Sequence, residues 1–329
     1  DITFENKKVG INLAGTLTLP NKEGVFPVVI LISGSGPQNR DEELLGHKPF
    51  LVLSDFLTKN GIAVLRYDDR GIAMSKGDFK TATSADFATD VESAIAYLKT
   101  RKEINKNKIG LIGHSEGGLI APMVASKSKD VAFIVLLAGT GIQGDSLLLL
   151  QKKLIEEASG VSKEDIQKGQ SSNRKVFDIV NKSISLEQLN SDLTIYFKQI
   201  LKDNPNTQKP AEMSDDDFVK LQVKQIASPW MQYFIKYNPA PALEKVKCPV
   251  LAVNGEKDLQ VPPKENLEAI KKALTKGGNK SVTTKELPNL NHLFQECKTG
   301  SPDEYATIEQ TFSPNALTEI LKWLQTQTK

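Results

Sequence analysis

Lys108-Ile109-Gly110-Leu111-Ile112-Gly113-His114-Ser115-Glu116-Gly117-Gly118-Leu119-Ile120 sets the architecture of this chain. Lys108 to Ile112 reads as a buried strand, and a helical pattern runs from Gly118 to Ser126. Between them stands Gly113-His114-Ser115-Glu116-Gly117, a G-x-S-x-G motif. The motif alone is short enough to arise by chance; its place between strand and helix gives it meaning. A tight strand-to-helix turn lifts the Ser115 hydroxyl clear of a sheet, and small residues at 113 and 117 let strand and helix approach. The Glu116 amide, at the helix start, can then donate to a developing oxyanion. The plainer reading is a Gly-rich turn with a helix-capping serine.

Working outward, the same alternation recurs. Residues 11–19 alternate apolar and polar, which predicts a strand. Short continuous apolar runs over 28–32, 62–67, 131–138 and 249–253 predict further strands, runs of this kind suit a parallel sheet covered on both faces, and 281–287 is read as one more strand. Three- and four-residue apolar spacing predicts helices over 50–59, 84–100, 264–274 and 317–325. Strand and helix in alternation give an α/β doubly wound sheet. Residues 142–240 differ: they show helical periodicity, with helices expected over 145–158, 163–181, 186–202 and 214–226 and a loop over 203–210. The expected organisation is thus a core over 1–141 and 241–329, interrupted by a helical insertion over 142–240.

Composition narrows the partners. Lys plus Arg number 42 and Asp plus Glu 40, so the net charge of +2 gives no reason to expect nucleic acid or an anionic membrane. No apolar stretch approaches the roughly 20 residues of a transmembrane helix. Two cysteines, Cys248 and Cys297, are too few for a disulfide scaffold, and Cys248, opening an apolar run, reads as a buried thiol. No Cys and His spacing suggests a metal site. The chain starts at Asp1 without an initiator Met, so a mature or trimmed chain is expected. Both cytoplasmic and exported locations stay open, as does the oligomeric state.

A serine hydroxyl needs a base to act as a nucleophile at neutral pH. Of the three histidines, His114 sits on the elbow and is expected to pack, and His47 lies in a polar loop. His292 follows the 281–287 strand and comes last in the order Ser, acid, His. The acid is expected after the 249–253 strand: Asp258, with Glu256 as rival. A second oxyanion donor is expected from Ser33-Gly34-Ser35-Gly36-Pro37, from the amide of Ser35 with Gly36 next; a plain Gly-rich turn competes with that reading. Arg70, in Asp68-Asp69-Arg70-Gly71, is expected to tie loops together by ion pairs. Trp230, Tyr233, Phe234 and Tyr237 share one helix face, which either packs the insertion or lines an acyl pocket.

Taken together, Ser33 to Asp41, Tyr67-Asp68-Asp69-Arg70-Gly71, the 113–117 elbow, Cys248 to Pro262 and Asn291-His292-Leu293-Phe294 resemble the bacterial α/β-hydrolase esterases with a helical cap, grouped with serine aminopeptidase and prolyl-oligopeptidase-like hydrolases. The resemblance spans nearly the whole chain outside the insertion. It implies an α/β-hydrolase fold with a mostly parallel eight-stranded sheet and an inserted cap. It also implies hydrolysis of a small-molecule carboxylic ester without metal or organic cofactor, on a triad of Ser115, Asp258 and His292. Aminopeptidase or thioesterase activity on the same triad, and a non-catalytic binding role, are the alternatives. Related sequences often carry Asp where Asn39 stands and Gly where Ala73 stands; neither position belongs to the triad.

Overall fold

The computed structural model describes residues 1–204, 209, 210 and 212–329. Among them, eight strands form one sheet: β1 (Ile2–Asn6), β2 (Ile11–Thr18), β3 (Phe26–Ile32), β4 (Ala63–Tyr67), β5 (Ile104–His114), β6 (Phe133–Leu137), β7 (Val250–Gly255) and β8 (Val282–Leu287). Their spatial order is β1-β2-β4-β3-β5-β6-β7-β8. β1 and β2 pair antiparallel, as do β2 and β4; every later pairing is parallel. This is the mostly parallel eight-stranded sheet of an α/β hydrolase. The continuous apolar runs behave as their composition requires: every residue of β4, β6 and β7 is buried.

Two strands differ from the sequence reading. β1 is unforeseen, because it offers only Phe4 and Asn6 to the interior. β5 begins at Ile104, ahead of the apolar run, because Ile104 pairs with Phe26 across an irregularity in the β3 register.

The described chain divides into two compact units. One comprises Asp1–Phe79, Ser84–Ile142 and Asn238–Lys329; the other comprises Lys80–Thr83 and Gln143–Tyr237. In the first, the sheet carries α1 (Pro49–Lys59), α2 (Ser84–Leu98), α3 (Glu116–Ala125), the short α9 (Ala240–Leu243), α10 (Pro263–Lys276) and α11 (Pro314–Thr328). Val29, Leu31, Phe133, Val135 and Val253 of the strands pack with Leu53 and Leu57 of α1 and Ile320 and Leu324 of α11. Burying such side chains contributes about 1.5–3 kcal/mol each.

The second unit consists largely of α4 (Gly144–Ala158), α5 (Lys163–Lys182), α6 (Leu186–Asp203), α7 (Asp215–Ile226) and α8 (Pro229–Lys236). Four of these helices start at a serine. Ser162, Ser185, Ser214 and Ser228 each accept a hydrogen bond from the amide three residues on, satisfying one of the free donors of the first turn. Inside, Val176, Phe177 and Val180 of α5 meet Leu189 and Leu193 of α6, Val219 and Val223 of α7 and Ile235 of α8. The loop expected over 203–210 falls partly outside the described residues, and Asp203 is the last residue of α6. Among the described residues no helix is long and apolar enough to cross a membrane.

Phe133 is fully buried beside Gly110, where an added Cβ would come within 2.0 Å of the Phe133 ring. Phe133→Ala should therefore cost about 3–5 kcal/mol in urea unfolding, since neighbours held by the sheet cannot collapse into the void. A loss under about 1 kcal/mol would show that the site relaxes freely, against this packing.

Candidate active site

Ser115 stands between β5 and α3 with φ +52° and ψ −113°. A non-glycine residue in that region costs about 1–3 kcal/mol, so the surroundings must enforce it. They do so by close approach. A Cβ at Gly113 would lie 2.0 Å from the Gly117 carbonyl oxygen, and one at Gly117 would lie 2.1 Å from that of Ile32. The Ser115 amide donates to the Leu137 carbonyl at 2.9 Å, anchoring the turn to β6. Ser115 is half-buried and its side chain makes no capping bond to α3, so the helix-cap reading is not met.

His292 and Asp258 come together. His292 Nδ1 lies 2.9 Å from Asp258 Oδ2, and both residues are buried. Asp258 Oδ1 accepts from the amides of Gln260 at 2.9 Å and Val261 at 2.8 Å, which fixes the carboxylate in place. The rival Glu256 turns away, its carboxylate accepting from the Asn289 amide at 2.8 Å. The loop bearing His292 is braced by Asn291, whose Oδ1 accepts from the amides of Leu293 and Gln295, each at 3.0 Å. Asp258, acting only as acceptor, holds the proton of His292 on Nδ1 and leaves Nε2 as the basic nitrogen.

The loop after β3 supplies the neighbouring backbone. A Cβ on Gly34 would sit 3.3 Å from the Ser115 Cβ, so this loop passes directly beside the serine. The Gly34 amide is already engaged, donating to Glu42 Oε1 at 2.6 Å. The Ser35 and Gly36 amides donate to no other described residue, and Gly36 has φ +96°. The Glu116 amide lies in the first turn of α3, directly after Ser115.

His114 departs from the packing role expected of it. Its Nδ1 lies 2.9 Å from Glu42 Oε1 and its Nε2 lies 3.0 Å from the His292 carbonyl oxygen. Glu42 was hidden in the sequence: Asp41-Glu42-Glu43 reads as an exposed acidic loop, yet Glu42 is buried with φ +50°. The loop is tied down elsewhere. Arg40 grips Asp68 through Nε at 3.0 Å and a second guanidinium nitrogen at 2.7 Å, and Arg66 pairs with Asp41. Arg70 forms the ion pair its charge suggested, with Asp90 at 2.7 Å, but it ties its loop to α2 rather than to another loop. His47 bonds Thr311 at 3.1 Å and the Tyr305 carbonyl at 3.0 Å. Ala73 takes φ +46°, the conformation that glycine adopts freely.

Trp230, Phe234, Tyr233 and Tyr237 lie on α8 and its C-cap in the second unit, Trp230 stacked on Phe234 at 5.1 Å and Tyr233 on Tyr237 at 5.5 Å. Phe234 is buried and the other three are partly exposed. Cys248, expected buried, is partly exposed, and its thiol is pushed up to about 11 by desolvation. Among the described residues no group of His, Cys, Asp and Glu comes together as a metal ligand set.

Asp69 accepts from Ser33 Oγ at 2.8 Å and from the Gln38 amide at 3.0 Å. Burial pushes the Asp69 carboxyl up to about 8; Glu116 and Glu42 add to the rise, while Ser33 and Gln38 oppose it. The folded chain thus keeps a proton on Asp69 that the unfolded chain, at its ordinary 3.8, has lost. That contribution to stability is complete below about pH 4 and is lost as pH rises through about 8. Asp69→Asn should flatten the fall in melting temperature between pH 5 and 9; an unchanged slope would contradict the assignment.

Comparison with known proteins agrees with this fold and adds a lineage. A family model described as X-Pro dipeptidyl-peptidase (S15 family) matches residues 10–285. Esterase EstD of Thermotoga maritima is 26% identical over 327 residues, covering 98% of this chain and 68% of EstD. Among solved structures, the α/β hydrolase GrgF from Penicillium sp. sh18 superposes with a TM-score of 0.61 at 16% identity, covering 99% of this chain and 98% of GrgF. Est1E from Butyrivibrio proteoclasticus, solved with ferulic acid bound, gives 0.56 at 17% identity, with 99% of each chain covered. A match over most of the chain, on the sheet described above, means that the protein belongs to the X-Pro dipeptidyl-peptidase (S15) family and is an α/β-hydrolase enzyme.

Proposed function

We propose that this hydrolase is a serine carboxylesterase acting on small or medium acyl esters, with Ser115 as nucleophile, His292 as base and Asp258 as the residue that orients it. The observation that carries the reading is the buried Asp258–His292 pair at 2.9 Å in a chain whose elbow holds Ser115 at φ +52°. Ser115 attacks the ester carbonyl while His292 Nε2 accepts its proton. The tetrahedral oxyanion takes hydrogen bonds from the Glu116 amide and from Ser35 or Gly36, since Glu42 occupies the Gly34 amide. His292 then protonates the leaving alcohol, and water repeats the sequence on the acyl-enzyme. The relative named esterase, EstD, supports an ester substrate.

The family description raises a peptidase as second reading. An enzyme cutting after an N-terminal dipeptide needs a carboxylate to hold the substrate's ammonium group. Glu157, Asp216 and Asp217 of the second unit form exposed pairs with Lys153 at 3.8 Å, Lys198 at 3.0 Å and Lys220 at 3.2 Å, and Glu156 binds Lys152 at 2.5 Å through one oxygen while the other is buried without a hydrogen-bond partner among the described residues. The preference for the ester reading therefore rests on EstD. Trp230, Tyr233, Phe234 and Tyr237 are proposed as acyl-binding residues, on the strength of their stacked apolar rings.

Hydrolysis of p-nitrophenyl esters from acetate to octanoate, set beside an X-Pro-p-nitroanilide, tests the proposal. Ester turnover should vanish in Ser115→Ala. In Asp258→Asn it should fall about 10⁴-fold, since the amide would impose the wrong tautomer on His292. Trp230→Ala should shift the chain-length preference. Turnover of the anilide alone would replace the esterase reading with the peptidase one, and ester turnover that survives in Ser115→Ala would remove the serine from the mechanism.

A further inference from the structure

A second carboxylate–histidine pair lies against the first. Glu42 Oε1 accepts from the Gly34 amide at 2.6 Å and lies 2.9 Å from His114 Nδ1. At the opposite side of the His114 ring, Nε2 lies 3.0 Å from the main-chain carbonyl of His292. The two imidazole rings are 4.8 Å apart. One short chain of hydrogen bonds therefore joins the loop proposed to hold the oxyanion, the residue preceding the nucleophile, and the backbone of the base.

The partners dictate the protonation state. A carbonyl oxygen can only accept, and an ionised carboxylate can only accept. With Glu42 as a carboxylate, His114 meets one of each, and both of its ring nitrogens then carry protons: an imidazolium on a carboxylate. If the ring loses one proton, a nitrogen lone pair faces either the Glu42 carboxylate or the His292 carbonyl, and one end of the chain lets go. We propose that Glu42 and His114 are positioning residues for the reaction, a charged brace that fixes His292 and the Gly34 loop and that operates only while His114 is doubly protonated. This rests on the serine-hydrolase reading above.

The electrostatics agree. Burial works against a charged His114, but the Glu42 charge and hydrogen bond, the His292 carbonyl and Asp258 together outweigh it and hold the ring above its ordinary value. The titratable groups facing the ring come from three loops: Glu42 before α1, Asp258 after β7 and His292 after β8. On the Glu42 side stand Glu116 on α3 and Asp69 after β4, the latter holding its proton up to about pH 8. With the folded pKa raised, the brace is intact at neutral pH and fails as pH rises, which places its loss on the alkaline limb of the activity profile.

Glu42→Gln keeps an oxygen that can accept from Gly34 and His114 but removes the charge that retains the second proton. The expected result is a kcat about 10- to 100-fold lower at pH 8, as for a modest misplacement of reacting groups. KM should stay within about twofold, and the alkaline limb of kcat should move to lower pH. His114→Gln should lose kcat similarly and show no alkaline limb in that range. Nitrogen NMR of the ring provides a readout without turnover: the chain has only three histidines, and the signal missing in His114→Gln is His114. In the wild type it should be doubly protonated at pH 7. A singly protonated His114 at that pH overturns the proposal even if the enzyme hydrolyses no ester tested. Equally, wild-type kcat and alkaline limb in Glu42→Gln, or a loss by one factor at every pH, overturns it. Absence of wild-type turnover with a doubly protonated His114 would instead count against the esterase reading.

Discussion

The chain cannot turn from β5 into α3 without placing Ser115 at φ +52°, and that one turn organises what surrounds it. The strain is sustained because the backbone of the elbow is wedged. Gly113 and Gly117 leave no room for even a methyl group beside the carbonyls of Gly117 and Ile32. β3 and β6 must flank β5 in register for those contacts to exist, since Ile32 pairs with Gly113 and the Ser115 amide reaches Leu137 at the end of β6. The parallel centre of the sheet thus serves as a clamp on Ser115, and its apolar strands supply the energy that holds a locally unfavourable residue in place.

Asp258 and His292 follow the carboxyl ends of two parallel strands, each on a loop fixed by its own polar contacts. Asp258 is held by two amides of the turn that follows β7, and His292 by Asn291 after β8. Glu42 and His114 bridge across from the loop after β3. Buried polar groups of this kind are expensive unless paired, and Asp258 with His292 and Glu42 with His114 each meet at 2.9 Å. The outcome is a candidate site whose side chains are held by hydrogen-bond networks reaching beyond Asp258 and His292.

Much of this could be read from residue order. Continuous apolar runs gave the central strands because both faces of a parallel sheet are buried, and the elbow was visible because its glycines bracket a serine between strand and helix. Asp258 and His292 were accessible through their places after late strands. β1 was not, since a short edge strand with two inward residues carries little pattern. Glu42 was not either: an acid between Asp41 and Glu43 looks solvated, and only the tertiary approach of the 33–42 loop to His114 buries it. Burial of a charge is decided by partners distant in sequence, which local patterns do not encode. For the same reason the aromatic face of α8 was legible as a face, while its purpose was not.

The central claim is that Ser115 is an activated nucleophile. Treating the native protein with a fluorophosphonate and locating the adduct by peptide mass spectrometry tests it most directly. The account predicts one adduct, on Ser115, formed at a rate that collapses in His292→Ala. No adduct on Ser115, or labelling that proceeds equally well without His292, would contradict it.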